Sequence, residues 1–537
     1  MNDFISKIDE KRFYIFTILN IMSSSMVLLE FPELSTFKGW LILIGFTFII
    51  SSVLSCLAIY NIIFKKLIDV LCGVLICLVL VELFLWINFK YTINEVVMNI
   101  IIGTNVKESR EFFLTYFNCR TIIVCLVVFL IFMIVYCLSK RIHLIRSKVI
   151  CFCIMGVMVF SVVEVVNSVY SYYKYEFGGK ISAYSTFLRV LRLVYIYNNT
   201  KDNLDLLIST NESQNVTEVN YRCEKMIVII GESFSKYHSQ LYGYEKETNP
   251  LLMKKVNNGE LFLFTNVITT INDTERAFCA IYSLGDYNID TYNKYALFPV
   301  IMRKAGFYTS YIDNMDLASA TNRVKDSKKL SDIMYDYRNK HTYKYDSFIL
   351  DEIKNNKFQE LYVIKLLGQH YIYKNTFPKS YSKWSYLDYH NNYSDNIKQI
   401  IADYDNSTLY NDYVINSIID KFREENAVVI YFSDHGEEVY DEREYMGHGG
   451  TTPYPKYQFD IPFMIWMSDK YKENNPDIVD AILENRDKAY SSNDVSHTIL
   501  NMAGVVCEQY ISERSLASKD FAPRKERIIN RFIIYNN

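Results

Sequence analysis

The chain lacks a basic tract. Its 57 Lys and Arg are offset by 60 Asp and Glu, for a net charge of −3, so no polybasic surface for nucleic acid is expected. It is also poor in cysteine where disulfides would matter. Of 11 cysteines, only Cys223, Cys279 and Cys507 fall beyond residue 170; at most one disulfide fits there, and none is compelled. The other cysteines lie in apolar surroundings, where Cys acts as a small apolar residue. No internal repeat or low-complexity tract is present. No small-residue cleavage site follows the first apolar run, so that run is expected to be a retained span rather than a cleaved leader.

What is present is unevenly placed. The first 170 residues hold five long apolar runs, Phe13–Phe31, Trp40–Ile63, Ile68–Ile87, Thr121–Leu138 and Val149–Val169. Each is long enough for a helix to cross a hydrocarbon core of about 30 Å. Glu82 and Glu164 are the acidic exceptions, and ionisable groups inside a span are costly and often functional. Lys7, Lys11 and Arg12 precede the first run, Lys65 and Lys66 follow the second, and Lys140, Arg141, Arg146 and Lys148 join the last two. These flanks are expected on the cytoplasmic side. An odd number of spans then places everything after Tyr170 outside. The expected organisation is a transmembrane domain over 1–170, an interfacial helix and linker over 171–222, and a soluble catalytic domain over 223–537. Within the connector, Arg189 and Arg192 interleave with aromatics, as in a helix lying along a membrane surface or packed on the soluble domain. Residues 198–220 read as a polar linker. Beyond it, β-rich runs alternate with helical stretches, which argues an α/β sandwich.

One stretch carries most of the functional information. The run Val428–Phe432 stops abruptly at Asp434-His435-Gly436. A buried strand ending this way delivers a carboxylate and an imidazole to the rim of a sheet, where ligands of open α/β sheets bind; the pair suits zinc. Three other segments repeat the device. Met226–Ile230 breaks at Gly231-Glu232, Leu361–Leu367 breaks at Gly368 and reaches His370, and Leu261–Ile268 opens into Asn272-Asp273-Thr274. Four strands ending in groups able to hold metal or phosphate are not independent accidents.

GESFSKYHSQLYGYEKETNPLL (231–252), YDNSTLYNDYVINSII (404–419), SDHGEE (433–438), YMGHGG (445–450) and IPFMIW (461–466) follow one another along the chain. Together they resemble the bacterial phosphoethanolamine transferases, membrane-anchored members of the alkaline phosphatase and sulfatase superfamily. The resemblance implies a five-helix transmembrane domain in the inner membrane and a periplasmic catalytic domain of alkaline phosphatase/sulfatase type. It also implies zinc, at one tight site with a second left open. Glu232, Asp434, His435 and the Thr274 oxygen would be the ligands, and Thr274 the nucleophile that carries the phosphoryl group. A plain N-cap is the structural alternative for Thr274, with Thr269 and Thr270 as fallback nucleophiles. His370 and His448 look like the family's additional histidines, which serve the phosphate, proton transfer or a second zinc. Glu437 matches a position near the ethanolamine ammonium. Asp313 and Asn314 stand where the family has other phosphate-binding groups. Thr104, Asn105 and Glu108 resemble a TN-x-x-E segment that reaches the donor headgroup; a capped helix start fits the same residues.

The implied donor is phosphatidylethanolamine. The implied acceptor is lipid A, lipopolysaccharide core or another envelope glycan, modified by a monomeric, membrane-bound enzyme. Around Thr274 the chain reads INDTERAFCAIYS, not the family's CGTxTAxSVPCMFS, so the acceptor stays open. A glycerol-phosphate transferase of lipoteichoic acid synthase type shares the metal logic but fits ETNPLL and Thr104-Asn105 poorly. A sulfatase needs a C/S-x-P-x-R motif, which is missing. A non-enzymatic membrane scaffold would need broken ligands, and none is broken. His143, His238, His341, His390 and His497 are expected to be structural or surface residues.

Overall fold

The computed structural model describes residues 10–30, 37–60 and 62–89, short pieces within 92–190, and residues 200–535 apart from 286–288, 316–326, 340–342, 356, 449–455 and 531–532. The described residues fall into two compact units, one within residues 1–199 and one from Thr200 onward.

In the first unit, helices α1 (Glu10–Glu30), α2 (Phe37–Tyr60) and α3 (Ile62–Phe89) coincide with the first three apolar runs. Ile15, Phe16 and Leu19 of α1 pack on Ile68, Leu75 and Val79 of α3. Arg12 and Asp69 join the same helices through a fork-like ion pair at 2.8 Å. Glu82 is fully buried, and its carboxylate accepts the Ile93 N–H at 3.2 Å. Among the described residues one helix, Ile63–Asn88, is long and apolar enough to cross a membrane; Arg12–Met22 and Trp40–Ser55 are shorter apolar stretches. Most of the fourth and fifth runs, the segment with Thr104, Asn105 and Glu108, and the expected interfacial helix lie outside the described residues.

The second unit begins earlier than the polarity of its first residues suggests. Residues expected to be linker form helix α4 (Thr200–Ser213), followed by strand β1 (Val216–Val219). The reason is a short apolar stripe: Leu204, Leu207 and Ile208 share one helical face and are buried in the main core. β1 then pairs antiparallel with residues 505–507.

The unit is built on a seven-stranded sheet. Its strands are β2 (Lys225–Gly231), β3 (Leu261–Phe264), β4 (Tyr308–Asp313), β5 (Tyr337–Arg338), β6 (Glu360–Lys365), β7 (Ala427–Ser433) and β8 (Phe463–Met467), in the spatial order β3-β8-β7-β2-β6-β4-β5. β7, β2, β6, β4 and β5 run parallel, whereas β8 is antiparallel to both its neighbours. Every residue of β2, β6 and β7 is buried, as continuous apolar strands covered on both faces should be. Alternation within β2 divides the core. Met226, Val228 and Ile230 face one apolar cluster, Ile227 and Ile229 the other. Helix α5 (Thr274–Tyr282) covers the first face, and helix α6 (Asp395–Lys421) covers the second with Val414, Ile415 and Ile418. The result is the expected three-layer α/β sandwich.

The ETNPLL block closes this architecture. Asp412 of α6 accepts the N–H groups of Leu251 and Leu252, both at 2.9 Å, and so caps the short helix Pro250–Asn257. Burial pushes the Asp412 carboxyl up to about 7.

Candidate metal centre at the strand ends

Register brings the site together. Gly231 pairs with Ser433, and Ile230 with Lys365. Glu232 and Asp434 therefore leave neighbouring strands side by side, and Lys365 comes up between them. Gly436 lets the chain turn here: a Cβ on it would lie 2.2 Å from the Tyr457 carbonyl oxygen.

Thr274 arrives on the first residue of α5. Asp273, not Thr274, is the N-cap; its carboxylate accepts from Arg276 N–H at 3.1 Å and pairs with the Arg276 side chain. Burial pushes Asp273 up, but Arg276 holds it below the usual carboxylate range. The Thr274 hydroxyl is thus spared for the cleft. It lies 3.2 Å from His435 Nε2 and 3.4–3.5 Å from the Glu232 carboxylate. His435 Nε2 is 3.5 Å from Glu232 Oε1 and 3.7 Å from Asp434 Oδ2. Donors around a tetrahedral zinc at ~2.0–2.1 Å are separated by about 3.3 Å; Glu232, Asp434 and His435 offer atoms close enough to share one ion, with the Thr274 hydroxyl beside two of them. His435 Nδ1 donates to the Gly436 carbonyl at 2.9 Å, which leaves the Nε2 lone pair for a metal.

Lys365 was hidden in the sequence inside an apolar run. It is fully buried, 2.7 Å from Glu232 Oε2 and 2.9 Å from Asp434 Oδ2. Burial favours protonated Glu232, yet Lys365 and His435 hold its carboxyl well below the normal range; burial, then Glu232 itself, push Asp434 up. The readable signal was a lysine within LYVIKLL, where nothing apolar explains it.

A second group borders the first. The His448 and His435 rings lie 3.9 Å apart. Glu437 Oε2 is 2.6 Å from His448 Nδ1, and Tyr373 donates to Glu437 Oε1 at 2.8 Å. Burial pulls His448 down, but the Glu437 carboxylate overrides it and raises the imidazole to about 9. His435, Glu437 and His448 form a second set of atoms close enough to share a cation. His370 follows Gly368, whose backbone lies against that of Glu232; burial pulls it below the ordinary histidine value, opposed by Glu232.

Other expected residues are placed elsewhere. Asn314 donates to Asp346 at 2.8 Å and accepts from Tyr343 N–H. Asp346 in turn receives the N–H groups of Leu367 and Gly368, so Asn314 buttresses the turn that leads to His370. The Asp313 carboxylate accepts from Met315 N–H at 2.7 Å. Among the described residues, Thr269 and Thr270 share no hydrogen bond with the cluster; Thr269 Oγ1 donates to the Ile271 carbonyl at 2.9 Å. His497 is buried in a helix, where burial lowers it to about 3. His390 is exposed, and His143 and His341 lie outside the described residues. Among the described residues, Cys223, Cys279 and Cys507 form no disulfide.

His238 is a buried residue whose partners the sequence did not reveal. Its Nδ1 lies 2.7 Å from Asp405 Oδ1, and its Nε2 lies 3.2 Å from Asp441 Oδ1. It links the segment after Glu232 to α6 and to the hairpin Glu438–Val439/Met446–Gly447, which separates Glu437 from His448.

The fold has known relatives. Over 311 residues the chain is 30% identical to phosphoethanolamine transferase EptC of Escherichia coli K12, covering 55% of this chain and 53% of that protein. It is 29% identical over 284 residues to the Kdo(2)-lipid A phosphoethanolamine 7''-transferase of the same strain, covering 52% and 50%. The chain thus spans about half the length of the curated relatives it matches. A zinc complex of the C-terminal periplasmic domain of E. coli EptC superposes with a TM-score of 0.53 at 26% identity, over 60% of this chain and 95% of that one. The integral membrane protein lipooligosaccharide phosphoethanolamine transferase A of Neisseria meningitidis shares the fold over 94% of this chain and 97% of its own, with a TM-score of 0.62 at 17% identity. The family model described as Sulfatase matches residues 224–505, more than half of the chain, and the chain belongs to that family.

Proposed function

We propose that this chain is a zinc-dependent transferase that moves phosphoethanolamine from phosphatidylethanolamine to a surface glycolipid, lipid A or lipopolysaccharide core, or to another envelope acceptor. One observation carries the reading. A threonine hydroxyl lies 3.2–3.5 Å from a Glu and His pair at the strand ends, in a chain whose relatives are named for this transfer.

Zinc, when bound, supplies a Lewis acid that favours the ionised Thr274 oxygen. Thr274 Oγ attacks the donor phosphorus, the bond from phosphorus to the glycerol oxygen breaks, and phosphoethanolamine stays on Thr274. His448, held protonated near neutral pH by Glu437, gives its proton to the departing diacylglycerol oxygen. In the second half His370, kept neutral by burial, takes the proton of the acceptor hydroxyl. The acceptor oxygen then bonds to phosphorus, the bond to Thr274 breaks and leaves its oxygen ionised as at the start, and exchange with water takes the proton from His370 and returns one to His448. Glu437 is the partner for the ethanolamine ammonium. Thr104, Asn105 and Glu108 seat the headgroup from the membrane side. The enzyme works as a monomer in the inner membrane, with its catalytic unit in the periplasm.

Two measurements test this. The full-length chain in mixed micelles is offered phosphatidylethanolamine or phosphatidylglycerol, and diacylglycerol release is followed. Peptide mass analysis then looks for phosphoethanolamine on Thr274. Preference for phosphatidylglycerol replaces the headgroup by glycerol phosphate; an adduct elsewhere reassigns the nucleophile. Mass spectrometry of envelope glycans with and without the gene identifies the acceptor.

A further inference from the structure

Lys365 is a buried cation that this chemistry leaves unused. It ends β6 and has no exposed surface. Its ammonium donates to Gly231 O at 2.8 Å, Glu232 Oε2 at 2.7 Å and Asp434 Oδ2 at 2.9 Å. Each of its N–H groups therefore has an acceptor, and two of those acceptors belong to carboxylates spaced to bind metal. Charge counting follows. Glu232 and Asp434 supply two negative charges and Lys365 one positive, and a His435 that offers Nε2 to a metal while donating through Nδ1 adds none. With a divalent ion these charges sum to +1 while Thr274 keeps its proton and to zero once its oxygen is ionised. Without the lysine each figure would be one unit more negative, neutral and then −1.

We propose, resting on the metal-site reading above, that Lys365 is a positioning and charge-setting residue. It holds the two carboxylates in place, weakens the site's grip on a divalent cation, and leaves the loaded centre one unit more positive than the carboxylates and ion alone, which favours a phosphodiester monoanion. Like charges repel strongly in a dry interior, so the ammonium and the metal ion compete for the same two carboxylates. Removing the ammonium leaves two buried carboxylates unpaired, which is strongly destabilising. A divalent ion then takes over its structural part. A residue that only fills space predicts no such trade.

The test uses the full chain in detergent, with Zn²⁺ alone as probe. Lys365→Met removes the charge and its hydrogen bonds; Lys365→Gln keeps a hydrogen-bonding side chain without charge. Zinc affinity is measured by chelator competition, and the zinc-induced rise in melting temperature is recorded for each protein. Both variants are expected to bind zinc roughly tenfold tighter or more, with a larger thermal shift than wild type. Diacylglycerol release is expected to fall about a hundredfold at full zinc loading. Unchanged or weaker zinc affinity in both variants overturns the proposal. So does failure of both to fold at saturating zinc, because the ion would then not replace the ammonium. The two readings fail separately: wild type that binds no zinc removes the metal site itself, whereas wild type and variants of equal affinity remove only the role of Lys365.

Discussion

The catalytic unit holds two buried clusters made from the same parts. At the strand ends, Lys365 sits between Glu232 and Asp434. Elsewhere in the unit, His238 sits between Asp405 and Asp441. Each places one cationic nitrogen group between two carboxylates. They differ in what is left over. Around His238 the remaining oxygens are engaged: Tyr244 and Tyr389 donate to Asp405 Oδ2, and Val439 N–H donates to Asp441 Oδ2. Around Lys365 an imidazole lone pair and a threonine hydroxyl converge on the carboxylates. Saturation makes a strut; spare donor atoms make a site.

That contrast is sharpest at the nucleophile. Thr274→Ala is expected to lower transfer by a factor of about 10⁴ or more, because the covalent route is gone, while zinc stays bound and the fold stays intact. Near-normal turnover in diacylglycerol release would send the assignment to Thr269 or Thr270. Asp434→Ala with His435→Ala should remove zinc altogether, measured by metal analysis, whereas Asp405→Asn should leave zinc stoichiometric. Zinc retained in the first variant breaks the distinction between the clusters.

On the strut, Asp441→Asn is expected to cost about 3 kcal/mol in denaturant unfolding. Its effect on zinc content should be nil. Hydrogen exchange should show faster opening of the hairpin that separates Glu437 from His448. If zinc is lost in proportion to stability, the two clusters are one.

The strut also has a pH signature. Burial pulls His238 down, but Asp441 and Asp405 override it and raise the imidazole to about 10; Tyr244 and Tyr404 are its other ring neighbours. An imidazole raised from about 6.5 contributes stability in full below pH 6.5 and loses it as pH rises through 10. Wild type should therefore weaken between pH 6.5 and 10 in urea unfolding, and His238→Gln should be flatter across that window. Equal slopes would rule out the charged strut. The smallest effect is expected at Asp412→Ala, about 1–2 kcal/mol for losing the cap on residues 250–257, with donor turnover unchanged.

The sequence by itself determined the layers and which polar groups stand at the strand ends. Continuous apolar runs that stop at Glu232, Asp434 and His370 are strands buried on both faces, and their ends are where polar groups must emerge, since backbone and side chains there leave the core together. Period and run length are local properties, so they are legible without coordinates. The same locality misled the reading of residues 200–213, where a three-residue apolar stripe was outweighed by its polar neighbours until the core it packs against was present. It also concealed Lys365, since a lysine in a strand gains its meaning only from register: Ile230 must lie opposite it, and Gly231 opposite Ser433. His238 is the plainest case. Its partners stand 167 and 203 residues away in sequence, so nothing near it announces two carboxylates. Tertiary structure alone decided which buried charges are saturated and which keep a lone pair free, because that depends on how many donors long-range packing brings within about 3 Å.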